Sequence, residues 1–387
     1  MTPRLVASAS EVASASERLG RSPRLAFDLE SNGLFAYRAV VCTVQLAAED
    51  EVVVVDTLAT PTSGLGPLLA SPATVKIVHD VSFDARVLAE AGVRLVNVRD
   101  TSVAARMLGR VATGLASLLS SELGITIDKK LQHHDWSERP IARDALAYLA
   151  GDVVHLPALC DRLWDEVEAR GIGDAVDEET RYRLAQAEAS VLPENQDPRP
   201  PYLRLKGIEK VPAVELPVLL RLAEARERRA RELDVPPYKV LGPDVLFAIA
   251  RARPKDEGEL SRIPGALSGK RARSLAADVL RAVREGLAED GRIPEADQAL
   301  LHPPRLPTSI AKARRAREQR LTAWRRAQAK AREVDEQVVL PGHCLKDLAE
   351  IEDASPDAIA AVPGLGAFRV ERDGAALLAA LEAEAAS

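Results

Sequence analysis

A proline-rich break divides this chain of 387 residues into two unlike parts. The stretch from Leu192 to Pro201 carries four prolines among polar residues, and proline fits neither a helix interior nor a central strand. Before the break, short apolar runs of strand length alternate with helical segments, whereas the pattern after it is almost wholly helical. This order predicts an α/β domain, with a mixed sheet flanked by helices, followed by small all-α bundles.

The elements of the first part can be placed from local signals. Ser8 and Glu11 form a capping box for a helix that Gly20 should end, and Asp100 should cap a helix beginning near Thr101. The predicted strands are Arg24–Leu29, Val40–Ala47, Glu51–Asp56, Thr74–Val78 and a short one around Leu95–Val98. Further helices are predicted at Leu65–Leu69, at Phe83–Ala91 and from about Arg143.

Three stretches carry acidic or phenolic side chains that could meet. Asp28 and Glu30 share one face of a strand, an unfavourable pair unless a cation offsets their repulsion. Asp84 lies near a helix start, and Tyr148 and Asp152 share one helix face four residues apart. Each also has an ordinary explanation: a solvated edge strand, a helix N-terminal carboxylate or a core tyrosine ring.

Four carboxylates in one place would form a hard oxygen ligand set, which suits Mg²⁺ or Mn²⁺ better than zinc. The histidines show no HxxxH or HExxH spacing, and the three cysteines are too far apart for a zinc site or a disulfide framework. We therefore expect Mg²⁺ or Mn²⁺, rather than zinc, at any metal site that these acids form.

Three motifs carry a family resemblance. Phe27-Asp-Leu-Glu30, the His79 to Leu88 segment around Phe83-Asp84, and Tyr148-Leu-Ala-Gly-Asp152 resemble, in order and spacing, the motifs of the DEDDy 3′–5′ exonucleases. Asp135-Trp-Ser-Glu-Arg-Pro140 is most similar to ribonuclease D, with one departure at His134, where relatives often carry serine. The resemblance implies a ribonuclease H-like fold for this part.

The resemblance also implies residue roles. Asp28, Glu30 and Asp152 would hold the metal ion that binds the attacking water, while Asp28 would bridge to a second ion near Asp84. Tyr148 would orient the water. The residues expected to contact the substrate are Leu34, Phe35, Gln45, Phe83, His134, Trp136, Arg139, Tyr238 and Lys239.

The helical part contains an internal duplication. Ala230-Arg-Glu232 recurs as Ala331-Arg-Glu333, and Ile263-Pro-Gly265 recurs as Val362-Pro-Gly364. Both copies resemble the HRDC domain, a nucleic-acid-binding bundle in relatives, although only the first has the Tyr238-Lys239 pair. The predicted domains are an exonuclease domain at 1–192, a linker at 193–211, an HRDC domain at 212–295 and a second, divergent one at 312–387.

Composition bounds the partners and the compartment. No apolar stretch could serve as a signal peptide or a membrane span, and the cysteine usage fits a reducing cytosol, so we expect a cytoplasmic protein with no membrane partner and no obligate protein partner. The net charge is −6, so nucleic acid must bind at local patches. One candidate is Lys312–Arg332, with nine Lys or Arg and one acid, which could equally be a solvated helix face.

The favoured function is a 3′–5′ exoribonuclease that trims 3′ tails of structured RNA, such as tRNA precursors, and releases 5′-mononucleotides. Two alternatives stay open from the sequence. One is a 3′–5′ DNA exonuclease in repair, and the other is a non-catalytic adaptor that binds nucleic acid. Comparing the digestion of matched RNA and DNA would distinguish the exoribonuclease from a DNA exonuclease. Metal-stimulated release of nucleotides would distinguish it from a non-catalytic adaptor.

Overall fold

A six-stranded mixed sheet forms the centre of the first part of the chain. The computed structural model describes residues 2–49, 51–128, 130–289, 292–302 and 304–382. The strands are β1 (Arg4–Val6), β2 (Arg24–Ser31), β3 (Val41–Ala48), β4 (Glu51–Asp56), β5 (Val75–Val78) and β6 (Val98–Asp100). Their order is β1-β4-β3-β2-β5-β6, with β3 antiparallel to β2 and β4 and the other pairs parallel. The mixed sheet predicted from the sequence is confirmed.

Two strands differ from the sequence prediction. β6 begins at Val98, three residues later than predicted, because the chain before it runs in irregular backbone with Asn97 at a φ of +58°. β1 was not predicted at all, since it has only three residues and only Val6 is buried. Its position is fixed by parallel pairing with β4, a long-range contact with no local sequence signal.

Eight helices accompany this sheet within the described residues. They are α1 (Ala9–Leu19), α2 (Gly66–Leu69), α3 (Val81–Glu90), α4 (Thr101–Met107), α5 (Leu115–Leu123), α6 (Arg143–Val154), α7 (Leu156–Ala169) and α8 (Gly173–Ser190). The predicted capping box is confirmed, because the Ser8 hydroxyl accepts from the Glu11 N–H and donates to the Glu11 carboxylate. The predicted cap at Asp100 is confirmed as well, since Asp100 accepts from the Ser102 and Val103 N–H groups.

The two faces of β2 have different neighbours. Phe27 and Leu29 are buried in an apolar cluster with residues of α1 and α3. Ala26 points to the other face, where it packs with residues of α7. Because strand residues alternate, Asp28 and Glu30 also point to that face, which α6 and α7 cover.

The chain forms two compact units. Met1–Ser31, Val41–Asn195 and Leu306–Ser387 make up the first unit, and Asn32–Val40 with Gln196–Arg305 make up the second. Short 3₁₀ helices lie at Thr62–Leu65, Pro193–Asn195, Pro201–Arg204, Ile208–Lys210, Ala213–Glu215 and Pro237–Lys239.

The second unit holds the first helical module. Its helices are α9 (Leu216–Glu232), α10 (Pro243–Ala252), α11 (Glu257–Ser261), α12 (Gly269–Ser274), α13 (Ala276–Ala288) and α14 (Glu295–Leu301). α9 and α13 pack closely, since a Cβ added to Gly286 would lie 2.5 Å from the Cα of Val218. The core of the module is formed by aliphatic side chains of these helices, among them Leu219, Leu222 and Val283.

The second helical module belongs to the first unit. It contains α15 (Thr308–Arg332), α16 (Glu336–Val339), α17 (Gly342–Glu350), α18 (Pro356–Ala360) and α19 (Ala367–Glu382). The ring of His343 stacks on Tyr182 of α8 at 3.7 Å, and its Nε2 lies 3.0 Å from Glu179. These contacts dock the module on the helices that cover the sheet. Within the described residues, no helix has the length and apolar character needed to cross a bilayer.

Candidate active site

Three carboxylates of the first unit converge beside the sheet. Asp28 and Glu30 extend from β2 toward α6, and Asp152 extends from α6 toward them. Carboxylate oxygens of all three lie within 4.8 Å of one another. Buried Leu149 and Val153 fix the rotation of α6, so that Asp152 and Tyr148, one turn apart, face the strand.

Burial and mutual repulsion perturb all three acids. Burial raises the pKa of Asp28 to about 7. Burial, together with the charges of Asp28 and Asp152, raises the pKa of Glu30 to about 9, and burial with the charge of Asp28 raises that of Asp152 to about 8. Carboxyls held together out of water resist ionisation unless a cation joins them.

Asp84 completes the electrostatic cluster. It lies in the first turn of α3, is 6% exposed, and has a pKa raised well above its ordinary value by burial and by the charges of Asp28 and Glu30. The start of α3 is held by Asp100, whose carboxylate accepts from the N–H groups of Asp80 and Val81 at 3.0 and 2.9 Å. Asp100 thus has a second role that its capping motif did not reveal.

The sequence predicted a cation near the acidic pair of β2. Among the described Lys, Arg and His residues, none forms an ion pair with Asp28, Glu30, Asp84 or Asp152. The part of the chain that the structure describes therefore supplies no compensating charge at this cluster. Its all-oxygen donor set suits a hard divalent cation, and the residues present fit such a group.

Tyr148 is held by the segment that precedes α6. The indole of Trp136 is 3% exposed and lies 5.7 Å from the Tyr148 ring, and His134 meets that indole edge-on at 4.9 Å. Burial, and then the charges of Asp152, Glu30 and Asp28, raise the pKa of Tyr148. Its phenol therefore stays protonated at physiological pH and can donate a hydrogen bond.

Comparisons with known proteins agree with this geometry. A 3′–5′ exonuclease family model matches residues 3–168, and the HRDC domain model matches residues 215–283 and 314–381. Ribonuclease D of Gluconacetobacter diazotrophicus is 32% identical over 318 residues, which cover 80% of this chain and 78% of the relative. Ribonuclease D of Nitrobacter hamburgensis is 31% identical over 293 residues, covering 74% and 75% of the two chains.

This chain belongs to the ribonuclease D family. It is accordingly a 3′–5′ exoribonuclease. The crystal structure of Escherichia coli RNase D covers 99% of both chains with a TM-score of 0.68 at 24% identity, which shows a shared fold. Both helical modules of this chain are thus HRDC domains.

Two residues expected to contact the substrate make contacts within the protein itself. The guanidinium of Arg139 binds Asp56 with two bonds of 2.7 and 2.8 Å and also donates to the carbonyls of Cys42 and Trp136. Trp136 is buried against Tyr148. Both side chains therefore make contacts within the protein that support the site, and their expected contacts with the substrate stay predictions. Asp56, the partner of Arg139, was missed in the sequence because 83 residues separate the two.

Gln45 lies next to the carboxylates but is fully buried. It is opposite Asp28 in the β2–β3 register, and its amide donates to the Thr43 hydroxyl at 2.7 Å. Its amide oxygen has no hydrogen-bond partner among the described residues. Gln45 is therefore better placed to support Asp28 than to line an open groove that receives the substrate.

The remaining expected contacts are more exposed. Phe83 is 46% exposed beside Asp84 in α3. In the second unit, Tyr238 and Lys239 of the first module meet the segment that contains Leu34 and Phe35: the Tyr238 hydroxyl donates to the Leu34 carbonyl at 3.3 Å, and the Lys239 ammonium lies 3.9 Å from the Phe35 ring centroid. The sequence separation of 204 residues between Tyr238 and Leu34 had hidden this pairing.

Proposed function

We propose that this exoribonuclease trims single-stranded 3′ tails from structured RNA, tRNA precursors among them, and releases 5′-mononucleotides. The observation that carries the proposal is the convergence of Asp28, Glu30 and Asp152 without a cationic partner among the described residues. Escherichia coli RNase D, to which this chain is similar in fold, is an exoribonuclease involved in structured RNA processing, and this supports the substrate class.

We propose Mg²⁺ or Mn²⁺ as the ions of this site, two per active centre. Asp28, Glu30 and Asp152 would hold one ion, and Asp28 with Asp84 would hold the other. When bound, such ions activate a water molecule and stabilise the charge that develops on the phosphate and the leaving 3′-oxygen. The four acids would remain ionised in that state, because bound cations favour the charged form of nearby carboxylates.

Tyr148 is proposed to orient the attacking water. Its hydroxyl lies on the same helix face as Asp152, and its raised pKa keeps it a hydrogen-bond donor. The packed Trp136 indole restricts the ring, so that the hydroxyl would meet the water at a fixed angle. Phe83, with its exposed ring beside Asp84, is proposed to contact the terminal base.

We further propose that the first module contributes RNA contacts through Tyr238, which is 51% exposed, and Lys239. A cytoplasmic location is proposed as well. It is supported by Cys42, Cys160 and Cys344, all within the described residues, which are buried and form no disulfide.

A digestion series tests the proposed substrate. The full-length protein is incubated with Mg²⁺, Mn²⁺ or EDTA and with a 5′-labelled tRNA carrying a single-stranded 3′ tail, the same RNA without a tail, and a DNA of matched sequence. We expect metal-dependent shortening of the tailed RNA that slows sharply at the folded body. Equal digestion of the DNA, or equal attack on both RNAs, would contradict the proposed preference.

A further inference from the structure

A cavity of about 250 Å³ lies within the first unit, where the second module meets the helices that accompany the sheet. Arg106 of α4 lines it, together with Glu179 and Arg183 of α8. The second module contributes Gln337 of α16 and His343 of α17. Pockets for drug-sized ligands usually measure roughly 300–1,000 Å³, so this cavity suits a smaller chemical group.

The side-chain oxygens that line the cavity already accept hydrogen bonds from the protein. Glu179 Oε1 accepts from Nε of Arg183 at 3.0 Å, and Glu179 Oε2 lies 3.0 Å from Nε2 of His343. Gln337 Oε1 accepts from the Gly342 N–H at 3.0 Å. The acceptors of the cavity are thus occupied by internal partners.

Several donors of the cavity, in contrast, have no partner. Arg106 is exposed and forms no hydrogen bond or ion pair with any described residue. Arg183 uses Nε for Glu179, whereas its Nη1 lies 3.7 Å from Asp80, beyond hydrogen-bond distance. The amide nitrogen of Gln337 has no partner in the described part of the chain. Open donors beside occupied acceptors predict a ligand whose atoms accept hydrogen bonds.

The charges around the cavity favour an anion. Burial would raise the pKa of Glu179, but its bonds with His343 and Arg183 outweigh burial and lower it. Arg183 therefore balances the charge of Glu179, and Arg106 is left without a compensating acid among the described residues. A guanidinium binds two oxygens of a phosphate at once, through parallel hydrogen bonds.

Two further features indicate the phosphate of a nucleotide. Val103 and Met107, both buried, give the cavity an apolar wall that suits a ribose or a base. Arg183 lies 3.7 Å from Asp80, which directly precedes α3 and is four residues before Asp84. The cavity is therefore beside the start of the helix that carries a candidate metal ligand.

We propose that this cavity is a phosphate-binding site, in which Arg106, Arg183 and Gln337 donate to the phosphate oxygens of a nucleotide. Two sources supply such a phosphate: the backbone of the RNA substrate, and a free nucleoside 5′-monophosphate. The second source rests on the proposed product, and neither source requires the proposed metal ions. The position beside α3 favours the RNA backbone. Because the second module supplies Gln337, the site is complete only when that module is docked.

Binding of two nucleotide probes in EDTA tests the proposal in the full-length protein. A 5′-labelled, 3′-tailed RNA is followed by fluorescence anisotropy at several salt concentrations, and CMP is followed by isothermal titration. The variants are Arg106→Gln and Arg106→Lys. Arg4→Gln is the matched control. Arg4 is an exposed arginine of β1, at the sheet edge opposite β6 and α4, and it forms no hydrogen bond or ion pair with a described residue.

We expect Arg106→Gln to weaken RNA binding about tenfold. The slope of log affinity against log salt concentration should fall by about 0.7, the value for one phosphate contact. Arg106→Lys keeps the charge without the paired donors and should lose less affinity. Arg4→Gln should bind RNA within about twofold of the wild type. The melting temperatures should all stay near that of the wild type, because neither arginine has a partner among the described residues.

The two probes distinguish the two sources of phosphate. A loss of RNA affinity in Arg106→Gln, with CMP binding unchanged or undetectable, would assign the site to the RNA backbone. A loss of CMP affinity would show that the site takes the free nucleotide. Unchanged affinity for both probes, or an equal loss in Arg4→Gln, would overturn the proposal. The measurement needs no turnover, so a protein that bound both probes and trimmed no RNA would contradict the proposed function alone.

Discussion

The indole of Trp136 lies against the ring of Tyr148, with centroids 5.7 Å apart and ring planes inclined by 34°. Trp136, in the motif Asp135–Pro140, thus supports Tyr148, in the motif Tyr148–Asp152. Because Trp136 is 3% exposed, this contact persists when the tyrosine hydroxyl is removed. Ring packing and hydroxyl chemistry at Tyr148 can therefore be separated by substitution.

Tyr148→Phe should reduce the maximal rate of RNA degradation by about 10²-fold or more, the usual contribution of a positioned proton donor or acceptor. The melting temperature should stay near that of the wild type, because the ring remains packed on Trp136. Single-turnover rates at saturating Mn²⁺, with circular dichroism melts, measure both quantities. A rate within about threefold of wild type would contradict the proposed role of the Tyr148 hydroxyl in orienting the attacking water.

Asp28→Asn should stabilise the metal-free protein at high pH. The raised pKa of Asp28, about 7, means that the folded state keeps a proton that the unfolded state releases above about pH 4. The contribution of this group to stability is full below that pH and is lost as the pH rises through about 7. The variant escapes this loss, so its advantage should grow between about pH 5 and 8 to about 1 kcal/mol or more.

Denaturant melts in EDTA at several pH values measure that advantage. Asp165→Asn, at an exposed acid of α7, is the control and should track the wild type. Addition of Mn²⁺ should make the wild type more stable than Asp28→Asn, because only the wild type retains the Asp28 carboxylate to bind the ion. An Asp28→Asn variant less stable than wild type at about pH 8 in EDTA would contradict the electrostatic description of the site.

The sequence predicted the sheet, the main helices and the convergence of Asp28, Glu30 and Asp152 because each depends on local periodicity and on motif order. It could not predict contacts that join distant positions with no periodic signal. Arg139 hydrogen-bonds to Asp56, 83 residues away in the sequence, and Tyr37 hydrogen-bonds to Glu227, 190 residues away. Such pairs follow from the tertiary packing of elements whose mutual placement a single sequence does not encode locally.

The role of the basic stripe Lys312–Arg332 likewise depends on tertiary contacts that its composition does not reveal. Its composition suggested either a phosphate-binding face or a solvated surface, but six of its nine cations bind groups of the second module. Arg320 donates to the carbonyls of Ala380 and Leu381, and Arg332 binds Asp373. Most of the stripe therefore holds the module together. Among the described residues, Lys312, Arg315 and Lys330 have no such partner.

Arg332→Ala should destabilise the second module by about 1.5 kcal/mol, because Asp373, whose side chain is 4% exposed, loses one of its two arginine partners and keeps Arg372. Arg315→Ala, on the same helix without a partner among the described residues, is the matched control and should change stability by less than about 0.5 kcal/mol. Thermal melts of the full-length variants compare the two. Equal effects would contradict the structural role assigned to Arg332.

Arg139→Ala should act on stability rather than on substrate affinity. Burial would raise the pKa of Asp56, but the bonds from Arg139 and from the Leu58 and Ala59 N–H groups outweigh that effect and lower it. The variant leaves this carboxylate with only the two backbone N–H groups, at a cost of about 2 kcal/mol. Arg139→Lys should recover only part of the loss, since it lacks the two-bond geometry. A variant with unchanged stability and a raised KM for RNA would restore Arg139 as a substrate contact.

The most direct test of the site is the degradation of 5′-labelled, 3′-tailed RNA by the wild type, Asp28→Asn and Asp152→Asn, each at saturating Mn²⁺ with its melting temperature recorded. We expect stepwise shortening from the 3′ end by the wild type and a loss of about 10³-fold or more in both variants, with their folds intact. Degradation near the wild-type rate by either folded variant would contradict the assignment of these acids to the metal site.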